Sequence, residues 1–474
     1  MRRWLLPAVL LFIGLGSAVG VARAQSQQTA GKALTLAAPP KTPVLSARRA
    51  APLLAQTTAR VRLDGALAAA FTDPALGPGR DSSCLVVSQG DQALFTRGAD
   101  QRLIPASNMK LLTALAALQR LGPDFRFVTE VRADHAPANG VVDGNLYLVG
   151  SGDPLIQTAD YNARFERPLP DGGYTHLEAL AAAVVAAGVH RVTGAVVGDE
   201  SRYDGQRYVP SWKTTYIADG EVGPLSALDV NDGFVTANPA RAVPAPSPAV
   251  LASGSLNALL EKSGNEVAGE PTQGPTPPGA VLVASLPSPP LGTIVAEMLR
   301  ESDNQTAELL VKELGRRFGG AGTTAAGVGV VRQTVAQLDL PVGALSGVDG
   351  SGLDRSDRAS CSLLAAVLQK AGPDSPLAAG LPVAATSGTL TKRFVGSPAA
   401  GRLAAKTGSL DHVSALSGFV RATGPGSGPP PLAFSLIVNN TPTDAAGVAL
   451  GDRVGIALAG YPSGPAAAAL GPQR

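Results

Sequence analysis

Near its carboxyl end the chain carries three strand-like runs in close succession, and this pattern restricts the fold more than any other feature. The runs, residues 403–407, 412–421 and 432–439, are rich in small, apolar and β-branched residues. Short turns separate them, and a helical run over 445–458 follows. Strands that follow one another this closely pair antiparallel, so we expect an antiparallel sheet covered by a helix.

The rest of the chain mixes helix and strand signals. Two short strands, 84–88 and 93–97, flank Gly90 and form a predicted hairpin. Further strands are predicted over 125–132, 141–149 and 191–197, and further helices over 61–71, 108–121, 176–187, 294–300, 305–318 and 360–371. The Pro- and Ala-rich stretches 239–252 and 271–291 are interpreted as linkers or loops. The mixture favours an α+β fold.

The amino-terminal segment resembles an export signal. Arg2 and Arg3 precede an apolar run over 5–21, and Ala22-Arg23-Ala24 is typical of a cleavage site. The alternative is a membrane anchor that is kept, although a run of this length is near the lower limit for spanning. We therefore expect residues 1–24 to be removed, a flexible lead over 25–55, and a protein exported from the cytoplasm.

Composition excludes several classes of function. The 39 basic and 37 acidic residues nearly cancel, so no electrostatic surplus supports nucleic-acid binding. The four histidines form no H-E-x-x-H pair, and two cysteines are too few for a Cys-rich zinc module. In an oxidising compartment Cys84 and Cys361 could form a disulfide, and the alternative is two buried thiols.

The first candidate motif is Ser107-Asn-Met-Lys110, at the start of the helix predicted over 108–121. Residues three apart share a helix face, so Ser107 and Lys110 are expected to be neighbours. A lysine held against a serine can remove the hydroxyl proton once burial or a cationic neighbour has lowered its own pKa. The alternative is a serine at a helix start beside an ordinary surface lysine.

The second candidate motif is Ser302-Asp303-Asn304, between two predicted helices. Ser302 could relay a proton, and the Asn304 amide offers both a donor and an acceptor to a peptide. The alternative is an ordinary helix cap, since Ser, Asp and Asn are the preferred residues there.

The third candidate motif is Lys406-Thr-Gly-Ser409, at the end of a predicted strand. An edge strand can bind an extended peptide by adding it to the sheet. Lys406 would supply positive charge for a carboxylate and Thr407 a hydrogen bond, while Gly408 would let the ligand backbone approach closely. The alternative is a strand that simply ends in a Thr-Gly turn.

The order S-x-x-K, S-D-N, K-T-G is the motif set of penicillin-binding proteins and serine β-lactamases. The chain resembles the D-alanyl-D-alanine carboxypeptidase/endopeptidases of the low-molecular-mass class C penicillin-binding proteins. Further stretches support the resemblance: Leu148-Val-Gly-Ser-Gly-Asp-Pro154, Gly198-Asp199-Glu200, Pro224-Leu-Ser-Ala-Leu228, Asp349-Gly-Ser-Gly-Leu353 with Arg355, Ser387-Gly-Thr-Leu390 with Arg393-Phe394, and Leu416-Ser-Gly-Phe419.

The resemblance implies a serine β-lactamase/DD-peptidase-like catalytic domain, an antiparallel sheet flanked by helices, with a domain inserted between the first two motifs. The catalytic domain would comprise 56–124 and 291–462, the insertion 125–290, and a tail 463–474. The longest relatives carry an additional small β domain inside the insertion. The Pro/Ala stretch after Phe234 predicts that this part is absent or much reduced here.

The resemblance also implies acyl transfer. Ser107 would attack the carbonyl of the penultimate D-Ala, with Lys110 as the base. Ser302, with Lys406 nearby, would pass the proton to the leaving D-Ala. The backbone N–H groups of Ser107 and Ser409 would hold the oxyanion.

Asn304 would hold the peptide amide, and Thr407 and Ser409 the terminal carboxylate. The expected partners are peptidoglycan stem peptides, with β-lactams as inhibitors, and neither a metal nor a cofactor is needed. A serine β-lactamase and a non-catalytic cell-wall-binding protein are the alternatives, and the sequence leaves the oligomeric state open.

Overall fold

The computed structural model describes residues 47–163, 169–170, 172–238, 241–421, 430–463 and 470. Within it, residues 56–464 form one compact unit. The predicted export signal and nearly all of the tail lie outside the described residues, as does most of the turn between the last two strands. No helix in the described ranges is both long and apolar enough to cross a membrane.

Twelve α-helices occur in the described ranges. They are α1 (Ala47–Ala70), α2 (Met109–Leu121), α3 (Ala159–Asn162), α4 (Leu177–Ala186), α5 (Thr214–Ala218), α6 (Pro248–Lys262), α7 (Leu291–Glu301), α8 (Asn304–Phe318), α9 (Thr324–Gln337), α10 (Cys361–Ala371), α11 (Pro376–Ala379) and α12 (Asp444–Ala459).

Seventeen strands occur in the same ranges. They are β1 (Ser83–Gln89), β2 (Gln92–Arg97), β3 (Val128–Ala133), β4 (Val141–Val142), β5 (Leu146–Val149), β6 (Ile156–Gln157), β7 (Thr175–His176), β8 (Arg191–Val192), β9 (Val196–Asp199), β10 (Phe234–Asn238), β11 (Arg241–Pro244), β12 (Glu266–Val267), β13 (Thr272–Gln273), β14 (Val281–Pro287), β15 (Leu403–Leu410), β16 (Val413–Val420) and β17 (Leu432–Asn439).

The main sheet has the order β15-β16-β17-β1-β2, and every pair in it is antiparallel. The predicted succession of antiparallel strands near the carboxyl end and the hairpin at 84–97 are therefore confirmed. Strands β16 and β17 are buried at all their residues because helices cover both faces of the sheet. Helix α2 is itself almost enclosed, since its residues 109–117 are all buried. This burial fixes the helix on which Lys110 lies.

A disulfide joins Cys84 in β1 to Cys361 at the start of α10, with an S–S distance of 2.06 Å. Both side chains are fully buried. Of the two alternatives that the sequence left open, the structure therefore contains the disulfide. It links a central strand of the main sheet to a helix that packs against it.

The segment between the first two motifs (residues 125–290, the inserted segment) builds a second sheet of order β13-β9-β5-β3-β14. Strand β9 pairs parallel with both β13 and β5, whereas β3 pairs antiparallel with both β5 and β14. Helices α4 and α6 pack against it through apolar residues such as Leu180 and Leu256. Its strands all lie between residues 128 and 287, and the main sheet draws its strands from either side of this segment.

Two of the predicted strands are wrong in extent. The run 141–149 forms β4 and β5 with a turn between them, because Gly144 has a φ of +112° and a Cβ there would lie 2.5 Å from Asp134. The run 191–197 likewise divides into β8 and β9. A Cβ at Gly194 would lie 2.3 Å from the Asn145 side chain, so this turn needs glycine.

Several stretches interpreted as loops are regular structure. The stretch 239–252 contributes β11 and the start of α6, whose Ser247 caps the helix by accepting a hydrogen bond from the Val250 N–H. The stretch 271–291 contributes β13, β14 and the first residue of α7. Helix α1 begins at Ala47, inside the stretch 25–55 that is expected to be a flexible lead. Helix α9 is not among the helices that the sequence predicts. In the described residues between Phe234 and the start of α6 at Pro248, the chain forms the two-stranded hairpin β10–β11.

Candidate active site

Ser107 lies in a 3-10 turn, Ala106–Asn108, which leads directly into α2. Ala106 has a φ of +46°, a conformation that costs a non-glycine residue energy and that its surroundings must enforce. Gly352 packs against this turn so closely that a Cβ on it would lie 1.9 Å from the Ala106 carbonyl oxygen. The strained turn presents Ser107, which is half-buried, at the start of the helix.

Lys110 lies in the first turn of α2 and is fully buried. Its Nζ lies 3.2 Å from Ser107 Oγ, 2.6 Å from Asn304 Oδ1 and 2.8 Å from the Ser351 carbonyl oxygen. The serine and lysine of the first motif are therefore in contact. The motif residue Asn304 and a loop residue, Ser351, complete the surroundings of the ammonium group.

Burial lowers the pKa of Lys110 from 10.5 to about 8. The negative charges of Asp303, Asp349, Glu308 and Glu221 oppose this effect without cancelling it. A lysine with this pKa is neutral in a substantial fraction of molecules near pH 7, which an ordinary lysine is not.

The loop that contributes the Ser351 carbonyl is held by buried carboxylates. Glu308 Oε1 accepts hydrogen bonds from the Gly350 and Ser351 N–H groups, at 3.0 and 2.7 Å. Asp349 Oδ2 accepts one at 2.8 Å from the indole N–H of Trp212, which belongs to the inserted segment. The position of the acceptor for Lys110 therefore depends on α8 and on the insertion.

Ser302 ends α7 in the left-handed conformation, with a φ of +65°. The chain then reverses, and Asp303 precedes the first residue of α8, Asn304. Ser302 Oγ accepts a hydrogen bond from Lys406 Nζ at 2.8 Å. The second and third motifs are thus in contact through a serine–lysine pair, which resembles the pair of Ser107 with Lys110.

Lys406 is fully buried in β15, and its Nζ also donates to the Thr407 carbonyl oxygen at 2.9 Å. Burial and the nearby charge of Lys110 hold the pKa of Lys406 well below 10.5. The sequence suggested that Lys406 supplies positive charge to a carboxylate. Its enclosure beside Ser302 favours a role in proton transfer instead.

Asn304 is fixed by two protein partners. Its Oδ1 accepts from Lys110, and its Nδ2 donates to the Glu221 carbonyl oxygen at 2.7 Å. Glu221 belongs to the inserted segment, so the insertion orients this amide. One N–H of Nδ2 remains for a substrate carbonyl.

Strand β15 is an edge of the main sheet. The N–H of Ala405 points away from β16, because it donates to the Pro382 carbonyl oxygen at 3.0 Å. Backbone groups alternate in direction along a strand, so the N–H groups of Thr407 and Ser409 also point away from β16. These groups are positioned for an extended peptide or an oxyanion.

The backbone of Gly408 lies close to the turn that carries Ser107. A Cβ at this position would lie 2.8 Å from the Pro105 carbonyl oxygen and 2.9 Å from Asn108 Nδ2. The missing side chain therefore lets β15 lie against the turn that carries Ser107, and this contact is with protein rather than with a ligand.

The accessible motif residues line one cleft of about 450 Å³. They are Ser107, Ser302, Asn304, Thr407 and Ser409. Lys110 and Lys406 lie behind this wall, each hydrogen-bonded to a serine that lines it. The inserted segment contributes another part of the lining: Lys213, Thr215, Tyr216, Asp219 and Glu221.

Sequence reasoning missed some residues of the site. Ser351 acts through its backbone carbonyl, which leaves no signature in residue type, although it lies in the D-G-S-G-L stretch noted above. Thr389 lines the cleft and accepts a hydrogen bond from the Thr407 hydroxyl at 2.8 Å. Glu221 had no motif around it, and only the packing of the insertion brings it to Asn304.

Comparison with known proteins identifies clear relatives. The profile of the D-Ala-D-Ala carboxypeptidase 3 (S13) family matches residues 63–245 and 238–450. The D-alanyl-D-alanine carboxypeptidase of Actinomadura sp. strain R39 is 32% identical over 473 residues, which cover 83% of this chain and 84% of the relative. Carboxypeptidase DacB of Mycolicibacterium smegmatis is 32% identical over 405 residues, 82% of each chain.

A similar fold occurs among solved structures. The crystal structure of penicillin binding protein 4 from Haemophilus influenzae matches with a TM-score of 0.65 at 20% identity, over 78% of this chain and 94% of that chain. At this level of identity the likeness concerns the fold, and it agrees with the expected α+β class and the DD-peptidase-like catalytic domain.

Proposed function

The chain belongs to the D-Ala-D-Ala carboxypeptidase 3 (S13) family, and we propose that it cleaves the terminal D-Ala-D-Ala bond of peptidoglycan stem peptides through an acyl-enzyme on Ser107. It is a serine-type D-alanyl-D-alanine carboxypeptidase, and hence a hydrolase. The observation that carries the proposed mechanism is the contact of Ser107 Oγ with a buried Lys110 whose pKa is about 8.

In the acylation step neutral Lys110 takes the hydroxyl proton of Ser107. A neutral amine has two N–H groups and one lone pair, and Lys110 Nζ has three neighbours. Asn304 Oδ1 and the Ser351 carbonyl oxygen cannot donate, so they take the two N–H groups. The lone pair is then directed at Ser107 Oγ, which becomes nucleophilic as it loses its proton.

The tetrahedral oxyanion rests on the N–H groups of Ser107 and Ser409. The outward direction of the Ser409 N–H along β15 supports this role, as does the position of Ser107 at the start of a helix. Loss of one such donor typically lowers the rate by a factor of about 10²–10³.

Ser302 and Lys406 return the proton to the leaving amine. Their 2.8 Å hydrogen bond and the lowered pKa of Lys406 support a relay, because Lys406 gives up a proton more readily than an ordinary lysine does. A water molecule then hydrolyses the acyl-enzyme. The same chemistry opens a cross-link when the leaving group is an amine of a second peptide, which accounts for DD-endopeptidase activity.

Substrate recognition uses the edge of β15 and the Asn304 amide. The free N–H of Asn304 binds a carbonyl of the peptide. The hydroxyl of Ser409 binds the terminal carboxylate, as does that of Thr407 once it turns from Thr389. Gly408 is a positioning residue that keeps β15 against the Ser107 turn. β-Lactams enter the same cleft and acylate the same serine.

The reaction takes place outside the cytoplasm. Residues 1–24 direct the chain to be exported there. The Cys84–Cys361 disulfide supports this location, because such bonds persist in oxidising compartments. Exchange of Arg2 and Arg3 for Glu is expected to retain the protein in the cytoplasm, where fractionation of cells would detect it.

Intact-mass measurement with benzylpenicillin tests the mechanism. Residues 25–474 are expected to gain one stable adduct, whereas Ser107→Ala gains none, and only the former releases D-Ala from a diacetyl-Lys-D-Ala-D-Ala peptide. Rapid disappearance of penicillin without an adduct would indicate a β-lactamase. Persistence of penicillin without an adduct would favour a non-catalytic wall-binding protein.

A further inference from the structure

The loop that supplies the carbonyl acceptor for Lys110 is organised around Asp349, which is buried. One oxygen of this carboxyl group, Oδ1, accepts a hydrogen bond from the Gly352 N–H at 2.7 Å. The other, Oδ2, accepts from the Trp212 indole and from the Asp354 N–H, each at 2.8 Å. An ionised carboxyl group has about four acceptor positions, so the three N–H donors leave one of them open.

A second carboxyl group, that of Asp357, is in contact with Asp349. Asp357 is fully buried, and its side chain makes a hydrogen bond with the Asp349 side chain. Its Oδ1 accepts from the Val348 N–H at 2.7 Å, whereas within the described part of the chain no N–H or hydroxyl group donates to its Oδ2. Two ionised carboxyl groups cannot donate to each other, so this contact requires a proton on one of them. Because Asp349 already accepts from three donors, the proton belongs to Asp357.

The surroundings of Asp357 also disfavour a negative charge on it. Burial, and then the charge of Asp349, hold the pKa of Asp357 well above its usual range. The Val348 N–H opposes this effect, and the charge of Asp354 adds to it. Arg358 follows directly in the sequence, but its Nη1 donates to two backbone carbonyl oxygens. This arrangement favours a neutral Asp357 beside an ionised Asp349.

Other elements place further polar groups around Asp349. Helix α8 presents the buried Glu308, and α2 presents Lys110, on which the charge of Asp349 acts. The inserted segment adds the Trp212 indole and the hydroxyl of Tyr216, on which the same charge acts. Lys110 is the cation in this set, and a single negative charge on the carboxyl pair balances it.

We propose that Asp357 is a positioning residue that stays protonated and donates a hydrogen bond to Asp349. This bond fills the acceptor position that the three N–H donors leave open. Asp349 holds the loop, and the loop in turn holds the acceptor of Lys110 and packs against the turn that carries Ser107. Asp357 touches no substrate and acts through this loop. Where it concerns acylation, the inference rests on the proposed function.

Rescue by an amide tests the inference. Asp357→Ala removes the donor to Asp349, so the maximal rate of acylation by benzylpenicillin should fall at least about tenfold. The penicillin concentration that gives half of this rate should change little, because the loop acts on Lys110 and the Ser107 turn. Asp357→Asn should restore the rate to within about twofold of wild type, since its amide accepts from Val348 and donates to Asp349.

The same exchange at Asp349 is expected to have the opposite outcome. In Asp349→Asn an amide nitrogen has to face N–H donors, so this variant should acylate at least about tenfold more slowly than wild type. Equal rates for Asp349→Asn and Asp357→Asn would overturn the inference, because the proton would then have no fixed position. A wild-type rate for Asp357→Ala would also overturn it, since the loop would need no donor there.

Infrared difference spectroscopy detects the proton itself and separates this inference from the proposed function. Wild type minus Asp357→Asn at pH 7 should contain the C=O stretching band of a protonated carboxyl group. Wild type minus Asp374→Asn, which removes an exposed carboxylate, should contain only carboxylate bands. The first result would support the inference even if penicillin acylated none of these proteins or Asp357→Ala did not fold. Carboxylate bands alone in both difference spectra would refute it.

Discussion

The rate at which benzylpenicillin acylates Ser107 is expected to follow the titration of Lys110. Lys110 can accept the hydroxyl proton only in its neutral form. Its pKa is lowered from 10.5 to about 8 because the side chain is fully buried. The rate should therefore rise with pH up to about 8 and level off above it.

The size of the effect follows from the two pKa values. At pH 7 a lysine with a pKa of about 8 is neutral in about one molecule in eleven, and a lysine at 10.5 in about one in three thousand. Burial thus increases the reactive form by a factor of about 300. Between pH 5.5 and 7 the acylation rate should rise about tenfold per pH unit.

The variant Asp303→Asn tests whether the pH dependence of the acylation rate reflects the titration of Lys110. The charge of Asp303 raises the pKa of Lys110, and it does not contribute to that of Lys406. Without this charge Lys110 loses its proton more readily, so the variant's profile should move to lower pH. Asp374→Asn, at an exposed ion pair with Arg421, serves as the control and should leave the profile in place.

The assay is the second-order rate constant for formation of the penicillin adduct, measured by intact mass between pH 5.5 and 9.5. A rate that does not change between pH 6 and 8, or a profile that Asp303→Asn moves to higher pH, would refute the assignment of Lys110 as the base. In either case the buried lysine would have to be regarded as a structural group.

The remaining predictions concern the disulfide, a buried carboxylate and the strand glycine. Replacement of Cys84 and Cys361 by Ala should lower the free energy of unfolding by about 5 kcal/mol, because the disulfide closes a loop with a sequence separation of 277. Urea titration measures this change, and an unchanged urea midpoint would contradict the prediction. Burial beside Asp349 raises the pKa of Glu308 to about 8, so the contribution of this group to stability falls as pH rises from about 5 to 8. Glu308→Gln should make the loss of stability over this pH range smaller than in wild type, and parallel stability curves would count against it. Gly408→Ala should slow acylation at least about tenfold, since the new Cβ would lie 2.8 Å from the Pro105 carbonyl oxygen. A wild-type rate of acylation would show that the turn carrying Ser107 can move aside.

The local context of each motif could be predicted from the sequence. Spacing alone brings Ser107 to Lys110, because residues three apart share a face of the helix that starts there. The break between α7 and α8 and the strand that carries Lys406 also follow from short-range signals. The two strands predicted with the wrong extent, 141–149 and 191–197, contain Gly144 and Gly194. The turns at these glycines depend on side chains packed against them.

The sequence by itself determined which residue types stand together over three or four positions, and so the chemistry that each motif can perform. Only the tertiary structure decided how the motifs are used. The burial that lowers the pKa of Lys406, the Ser351 carbonyl beside Lys110, and the contact of Gly408 with the Ser107 turn all join residues far apart in the chain. Dielectric surroundings and backbone contacts of this kind arise from packing, and no local pattern of residues encodes them.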